Sequence, residues 1–184
     1  MDFKATVRNL VAAFEREGIA YGLIGGFALG LWGVHRGTVD MDFLVKRDDL
    51  DKVDAIMADL GYELRYRSEN VSQFLSPLPV FGELDFLHGF RKASLEMLER
   101  AEHKVLFGNG ITLAVLQPED LIGLKLQALV NDPRREPVDR SDIEMLMALR
   151  DRSMNWEIVR EYFEIFEMLE LFDELERKYR HGHT

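Results

Sequence analysis

The stretch "GLIGGFALGLWGVHRGTVDMDFLV", residues 22–45, decides how the whole chain is read. It opens as an apolar run and meets paired glycines at Gly25 and Gly26. It closes on a second apolar run that holds two aspartates, Asp40 and Asp42, one residue apart. Successive side chains of a strand point to opposite faces, so Asp40 and Asp42 share one face while Met41 and Phe43 turn to the core. Two carboxylates that close raise each other's pKa unless a cation lies between them. A hard divalent ion removes the repulsion and takes oxygen ligands readily. The glycines fit the same chemistry. At a junction of strand and helix they let backbone N–H groups approach a phosphate, and a helix start favours negative charge.

A third carboxylate from another strand would complete such a site. Asp85, late in the apolar run "VFGELDFLHG" (80–89), is the best candidate, with a strand-edge salt bridge as its alternative role. Two magnesium ions, with manganese as a substitute, could then sit roughly 4 Å apart and hold the attacking and leaving oxygens of a phosphoryl displacement. Arg36 and Thr38 lie on the approach to Asp40, placed to touch phosphate or sugar, or to form a surface salt bridge.

Working outward, residues 2–17 carry Phe3, Val7, Leu10, Val11 and Phe14 on one helical stripe that Gly18 stops. "IAYGLIG" reads as a short buried strand, "GFALGLWG" as a short helix, and "TVDMDFLVK" as the next strand. Asp48 is placed to cap a helix that Gly61 ends. "YELRYR" and "VSQFLS" read as paired strands, 92–102 as a helix, and "HKVLFGNGITLAVL" as a hairpin turning at Asn109–Gly110. From Pro118 the period is helical: 118–130, about 139–150, then 155–180 in one or two pieces. The fold class expected is α/β (α+β), a mixed sheet flanked by helices over 1–117, with a C-terminal helical region over 118–184 packed on it.

The totals bound the function. The chain has 184 residues, 47% of them hydrophobic, no cysteine and a formal net charge of −10. Disulfides and thiolate metal sites are excluded. Broad electrostatic binding to nucleic acid is disfavoured, because it needs basic surface to displace counterions. The charged N-terminal stretch has no signal-peptide pattern and no apolar run approaches bilayer length, so a cytoplasmic, membrane-free location is expected. The acidic residues crowded after Glu157 read as a solvated helix face. His35 and His88 read as ordinary surface or cleft histidines, and His181 and His183 as members of a polar tail.

"IGGFALGLWGVHRGTVDMDFLV" resembles the signature of the nucleotidyltransferase superfamily with a polymerase-β-like fold, and within it the small bacterial branch that includes AbiEii-type toxins. The resemblance implies that Gly25 and Gly26 bind triphosphate and that Asp40, Asp42 and Asp85 bind magnesium. "LQPEDLIGLKLQALVNDPRREPVDRSDIEML" is similar to the family's later helical motif, with Lys125 at the helix lysine and Asp139 and Asp142 at the two aspartates. Val138 stands where a lysine commonly precedes the first of these. Lys125 then either contacts phosphate or carries its head to solvent, and Asp139 and Asp142 either serve the site or only cap a helix.

The implied activity is transfer of a nucleoside monophosphate from a nucleoside triphosphate to an acceptor, which could be tRNA, a protein or a small molecule. A toxin role would add an antitoxin partner. The rivals are a nucleotidyltransferase fold that only binds, and a glycosyltransferase. The second of these would leave the Gly-Gly element without a role.

Overall fold

A computed structural model describes residues 3–35, 37, 38, 40–76, 78, 82–106, 110–149 and 154–180. It divides into two compact units: 1–31 with 36–116, and 32–35 with 117–184. Arg36, Phe81, Asn109, His181 and His183 lie outside the described residues.

The first unit is built on strands β1 (Tyr21–Ile24), β2 (Met41–Lys46), β3 (Glu63–Arg67), β4 (Val71–Leu75), β5 (Glu83–Gly89), β6 (Glu102–Leu106) and β7 (Ile111–Val115). They form one mixed sheet in the order β3-β4-β5-β2-β1-β7-β6. β2 and β5 run parallel at its centre, and β1 pairs β2 antiparallel. Four helices accompany the sheet: α1 (Phe3–Glu17), α2 (Gly25–Leu31), α3 (Leu50–Asp59) and α4 (Lys92–Glu99).

Period-2 patterning decides what lies on each face. Phe43 and Phe86 are register partners on β2 and β5, their rings stacked at 5.7 Å. Phe14 of α1 meets both edge-on, at 6.1 and 6.2 Å. All three rings are fully buried, and burial of such a side chain contributes about 1.5–3 kcal/mol. The next register pair along, Asp42 with Asp85, therefore faces the opposite side of the sheet. The aromatic core locks β2 against β5 and so fixes the spacing of the two aspartates. On their own face, toward the other strand ends, Leu98 of α4 packs beside Gly22.

Several expectations change at the element ends. Asp48 caps nothing: a 3-10 turn over Arg47–Asp49 precedes α3, whose N-cap is Asp49, without a side-chain cap bond. The helix expected over 92–102 stops at Glu99, because Glu102 already pairs with Val115 in the β6–β7 hairpin. His88 is buried rather than on the surface. Its Nδ1 lies 3.0 Å from the Glu69 carbonyl and its Nε2 lies 2.7 Å from Ser72 Oγ.

The second unit is helical: α5 (Pro118–Asn131), α6 (Glu136–Met147), α7 (Trp156–Ile165) and α8 (Leu169–Tyr179). Pro118 opens α5 without a lost donor, and the buried Glu119 and Asp120 stand at its positive end. Glu119 Oε1 accepts the Asn155 N–H at 2.8 Å, and Asp120 Oδ1 accepts the Tyr162 hydroxyl at 2.7 Å. A Cβ at Gly123 would meet the Tyr162 ring at 2.8 Å, so only glycine lets α5 and α7 approach this closely. The helical stretch 155–180 is two helices, broken where Glu167 takes φ +56°.

Candidate active site

The site lies at the end of the sheet where β1 leaves for α2. Gly25 follows β1 directly with φ +64°, a conformation that costs glycine nothing. Ile24 is the register partner of Asp42, which puts Gly25 beside that aspartate. A Cβ at Gly25 would overlap Asp42 Oδ2. A Cβ at Gly26 would meet Thr38 Cβ at 2.6 Å. Thr38 in turn donates to the Asp40 carbonyl at 3.3 Å. Gly25, Gly26, Thr38, Asp40 and Asp42 are thus brought into one cradle whose walls a side chain on either glycine would fill.

Asp85 closes the other side. It is the cross-strand partner of Asp42 on parallel β5. Its Oδ2 accepts from Gln73 Nε2 at 2.9 Å, and its Oδ1 is buried without a hydrogen-bond partner among the described residues. Burial pushes the Asp85 carboxyl above the usual carboxylate range; the Gln73 bond pulls it back, and the Glu83 and Asp40 charges push it further up. Among the described residues Asp85 forms no salt bridge.

Among the described residues no three carboxylate or imidazole groups are drawn together into a ready metal cluster. Carboxylates repel one another until a cation lies between them. The donor set nonetheless fits a hard divalent ion: all-oxygen ligands, two in strand register, a third two residues away, and one buried oxygen without a partner.

The second-unit residues behave differently. Lys125 Nζ lies 2.8 Å from Asp139 Oδ1 and 2.6 Å from Asp142 Oδ2, with its side chain 11% exposed. Arg135 Nε reaches Asp139 Oδ2 at 2.8 Å. Lys125 neither carries its head to solvent nor stands free; its ammonium is committed to two buried carboxylates. Asp139 lies in the first turn of α6 and Asp142 deeper in it, and neither is the N-cap, which is Arg135. Burial works against the Asp139 carboxylate, but the Arg135 and Lys125 bonds outweigh it and hold the group below its ordinary range.

Two neighbours of the site escaped the sequence reading. Gln73 is placed by the pairing of β4 with β5, and period-2 alternation along "VSQFLS" would have flagged its face but not its partner. Tyr66 is placed by a bulge in β3 that no local pattern announces.

The fold is shared with known enzymes. The antibiotic-resistance factor ANT(2'')-Ia superposes in its solution structure with a TM-score of 0.63 at 13% identity, over 100% of both chains. Its crystal structure in complex with adenylyl-2''-tobramycin gives 0.54 at 16%, over 96% of this chain and 95% of that one. An antigenic nucleotidyltransferase-like protein from Paracoccidioides brasiliensis gives 0.58 at 16%, over 95% and 92%. A candidate nucleotidyltransferase from Thermotoga maritima gives 0.52 at 13%, over 77% and 92%. At these identities the likeness is one of fold. A comparison with curated proteins returned no match. The model of a family described as uncharacterised nucleotidyltransferases matches residues 2–172, nearly the whole chain, and the protein belongs to that nucleotidyltransferase family.

Proposed function

We propose that the protein is a magnesium-dependent nucleotidyltransferase that moves a nucleoside monophosphate from a nucleoside triphosphate to an acceptor hydroxyl, releasing pyrophosphate. The observation that carries this reading is the register pair Asp42–Asp85 set beside the side-chain-free Gly25, with one Asp85 oxygen buried and without a hydrogen-bond partner among the described residues. Asp40, Asp42 and Asp85 would hold one or two Mg2+ ions, or Mn2+, which when bound supply charge neutralisation on the triphosphate and a lowered acceptor pKa. The Gly25 and Gly26 N–H groups cradle the triphosphate, with Thr38 beside it, and Arg36 is the further phosphate contact that the motif implies. The acceptor oxygen attacks the α-phosphorus, the bond from that phosphorus to the bridging oxygen breaks, and pyrophosphate leaves. The acceptor proton passes to Asp85 as the general base.

The motif likeness to the AbiEii-type branch supports a toxin-like role in the cytoplasm, restrained by an antitoxin partner. Among the described residues no helix is long and apolar enough to cross a membrane. The fold shared with ANT(2'')-Ia supports a small-molecule acceptor beside tRNA or protein. Supplying each triphosphate labelled at the α-phosphate, with magnesium and cell extract, tests the reading. Label is expected to move onto an acceptor and to stay in the triphosphate with Asp42→Ala. Label that never moves with any nucleotide would remove the transferase in favour of a fold that only binds. Slowed growth on expression, relieved by Asp42→Ala, would support the toxin role, and unimpaired growth with soluble protein would remove it.

A further inference from the structure

Gln73 stands opposite Asp85 on β4, and its amide nitrogen Nε2 donates to Asp85 Oδ2 at 2.9 Å. An ionised carboxylate only accepts, so the amide turns its nitrogen to Asp85 and its carbonyl oxygen away. Asp85 Oδ1 is buried and has no hydrogen-bond partner among the described residues. The last torsion of an aspartate is broad and roughly two-fold. Nothing within the side chain therefore decides which oxygen faces where, and the Gln73 bond does.

Gln73 can do this because its own backbone is fixed from the other face of the sheet. Its neighbours on β4, Ser72 and Phe74, are buried on the core side. Ser72 Oγ lies 2.7 Å from His88 Nε2 and accepts from Arg67 Nε at 3.0 Å. The Phe74 ring meets Phe86 edge-on at 5.6 Å. The amide thus reaches the carboxylate from a set register. Groups carried on strands are placed more precisely than groups carried on loops.

The kind of donor matters as much as its place. Asp139 gives Oδ1 to Lys125 and Oδ2 to Arg135, so both of its oxygens meet cations. Asp85 gives one oxygen to an uncharged amide. An amide orients a carboxylate without cancelling its charge, which a lysine or arginine would do. Partners that orient a metal ligand in this way tune both its geometry and its affinity.

Resting on the nucleotidyl-transfer reading, we infer that Gln73 is a positioning residue for the reaction: it holds Asp85 Oδ2 with a neutral donor and leaves Oδ1 as the oxygen available to the cation. It acts through Asp85 and not by touching the nucleotide.

The test uses α-phosphate-labelled triphosphate, magnesium and, as acceptor, the fraction of a cell extract that the wild type labels. Gln73→Met keeps length and removes the donor. Its saturated transfer rate should fall about tenfold, with the half-saturating triphosphate unchanged. Thermal stabilisation by magnesium and triphosphate together should be retained, because Asp40 and Asp42 are untouched. In an Asp85→Asn background, Gln73→Met should cause no further fall, since its effect runs through that carboxylate. Gln73→Lys sets an ammonium beside Asp85 and should transfer more slowly than Gln73→Met, toward the roughly 10²-fold loss of Asp85→Asn. Three results each overturn the inference and leave nucleotidyl transfer standing: wild-type transfer by Gln73→Met, the same tenfold fall in the Asp85→Asn background, or transfer by Gln73→Lys as fast as by Gln73→Met. Loss of the magnesium-dependent stabilisation in Gln73→Met also overturns it, because the residue would then serve binding or the strand itself. No label moved by the wild type removes the transferase reading and this inference with it.

Discussion

The molecule holds two pairs of close carboxylates and treats them in opposite ways. In the helical unit, Asp139 and Asp142 are buried but meet Lys125, and Asp139 also meets Arg135. In the sheet unit, Asp42 and Asp85 stand in register, and among the described residues Asp85 meets an uncharged amide. The first pair is neutralised by the chain's own cations. For Asp85 no cation partner is found among the described residues, and its carboxyl is pushed up where that of Asp139 is pulled down. Motif likeness assigned Asp42 and Asp85 to metal and left Asp139 and Asp142 open between the site and a helix cap. Their surroundings set a charge-neutralised network apart from the carboxylates that the proposed function assigns to an external cation.

The largest effect is expected where the internal network is broken. Lys125→Met keeps length and volume but takes the ammonium from two buried carboxylates, leaving Asp139 with Arg135 alone. A loss of about 3–5 kcal/mol in urea unfolding is expected. A loss below about 1 kcal/mol, with nucleotide binding abolished, would place Lys125 in the site and erase the contrast.

Asp85→Asn is expected to do the reverse. Transfer should fall by roughly 10²-fold or more, because the base and the metal ligand act mainly in the transition state. Stability without metal at neutral pH should hold or rise, since a carboxylate disfavoured by burial has been removed. Unfolding of the variant with activity per folded molecule intact would make Asp85 structural, with Glu83, on the same strand face, the next candidate.

Acid titration of metal-free protein sharpens the comparison through its sign. Asp139 has a lowered folded pKa, so its contribution is full above the ordinary aspartate value of about 3.9 and is lost as pH falls through the lower folded value. Asp85 has a raised folded pKa, so the penalty for ionising it is full above that value and is relieved as pH falls toward about 3.9. Denaturant unfolding from pH 7 to pH 3 should therefore show Asp139→Asn losing its deficit relative to wild type on acidification. Over the same range Asp85→Asn should lose its advantage. Parallel pH curves for the two variants would contradict the assignment.

What the sequence made legible follows from how local each signal is. Asp40, Asp42, Gly25 and Gly26 lie within one short run, and their shared face follows from strand period alone. Asp85 could be chosen because an apolar strand around a carboxylate is itself a signal. Gln73 depends on which strands pair and in what register, which no local window contains. Tyr66 depends on a bulge, an inserted residue that flips every side chain after it. Lys125 was legible as a motif residue, but its partners stand one helix away, and only the packing of α5 on α6 shows that its charge is already matched. The helix expected to run to residue 102 stops early because hairpin pairing with β7 overrides local propensity.

The central claim, that the sheet carboxylates are prepared for a cation that brings in the nucleotide, is tested most directly by thermal unfolding with each nucleoside triphosphate at a hundredfold excess over its dissociation constant, with magnesium and with chelator. At least one triphosphate should stabilise the wild type by about 2.7 kcal/mol with magnesium, and the gain should vanish in chelator and in Asp42→Ala. Equal stabilisation with and without magnesium, or its full persistence in Asp42→Ala, would contradict the account.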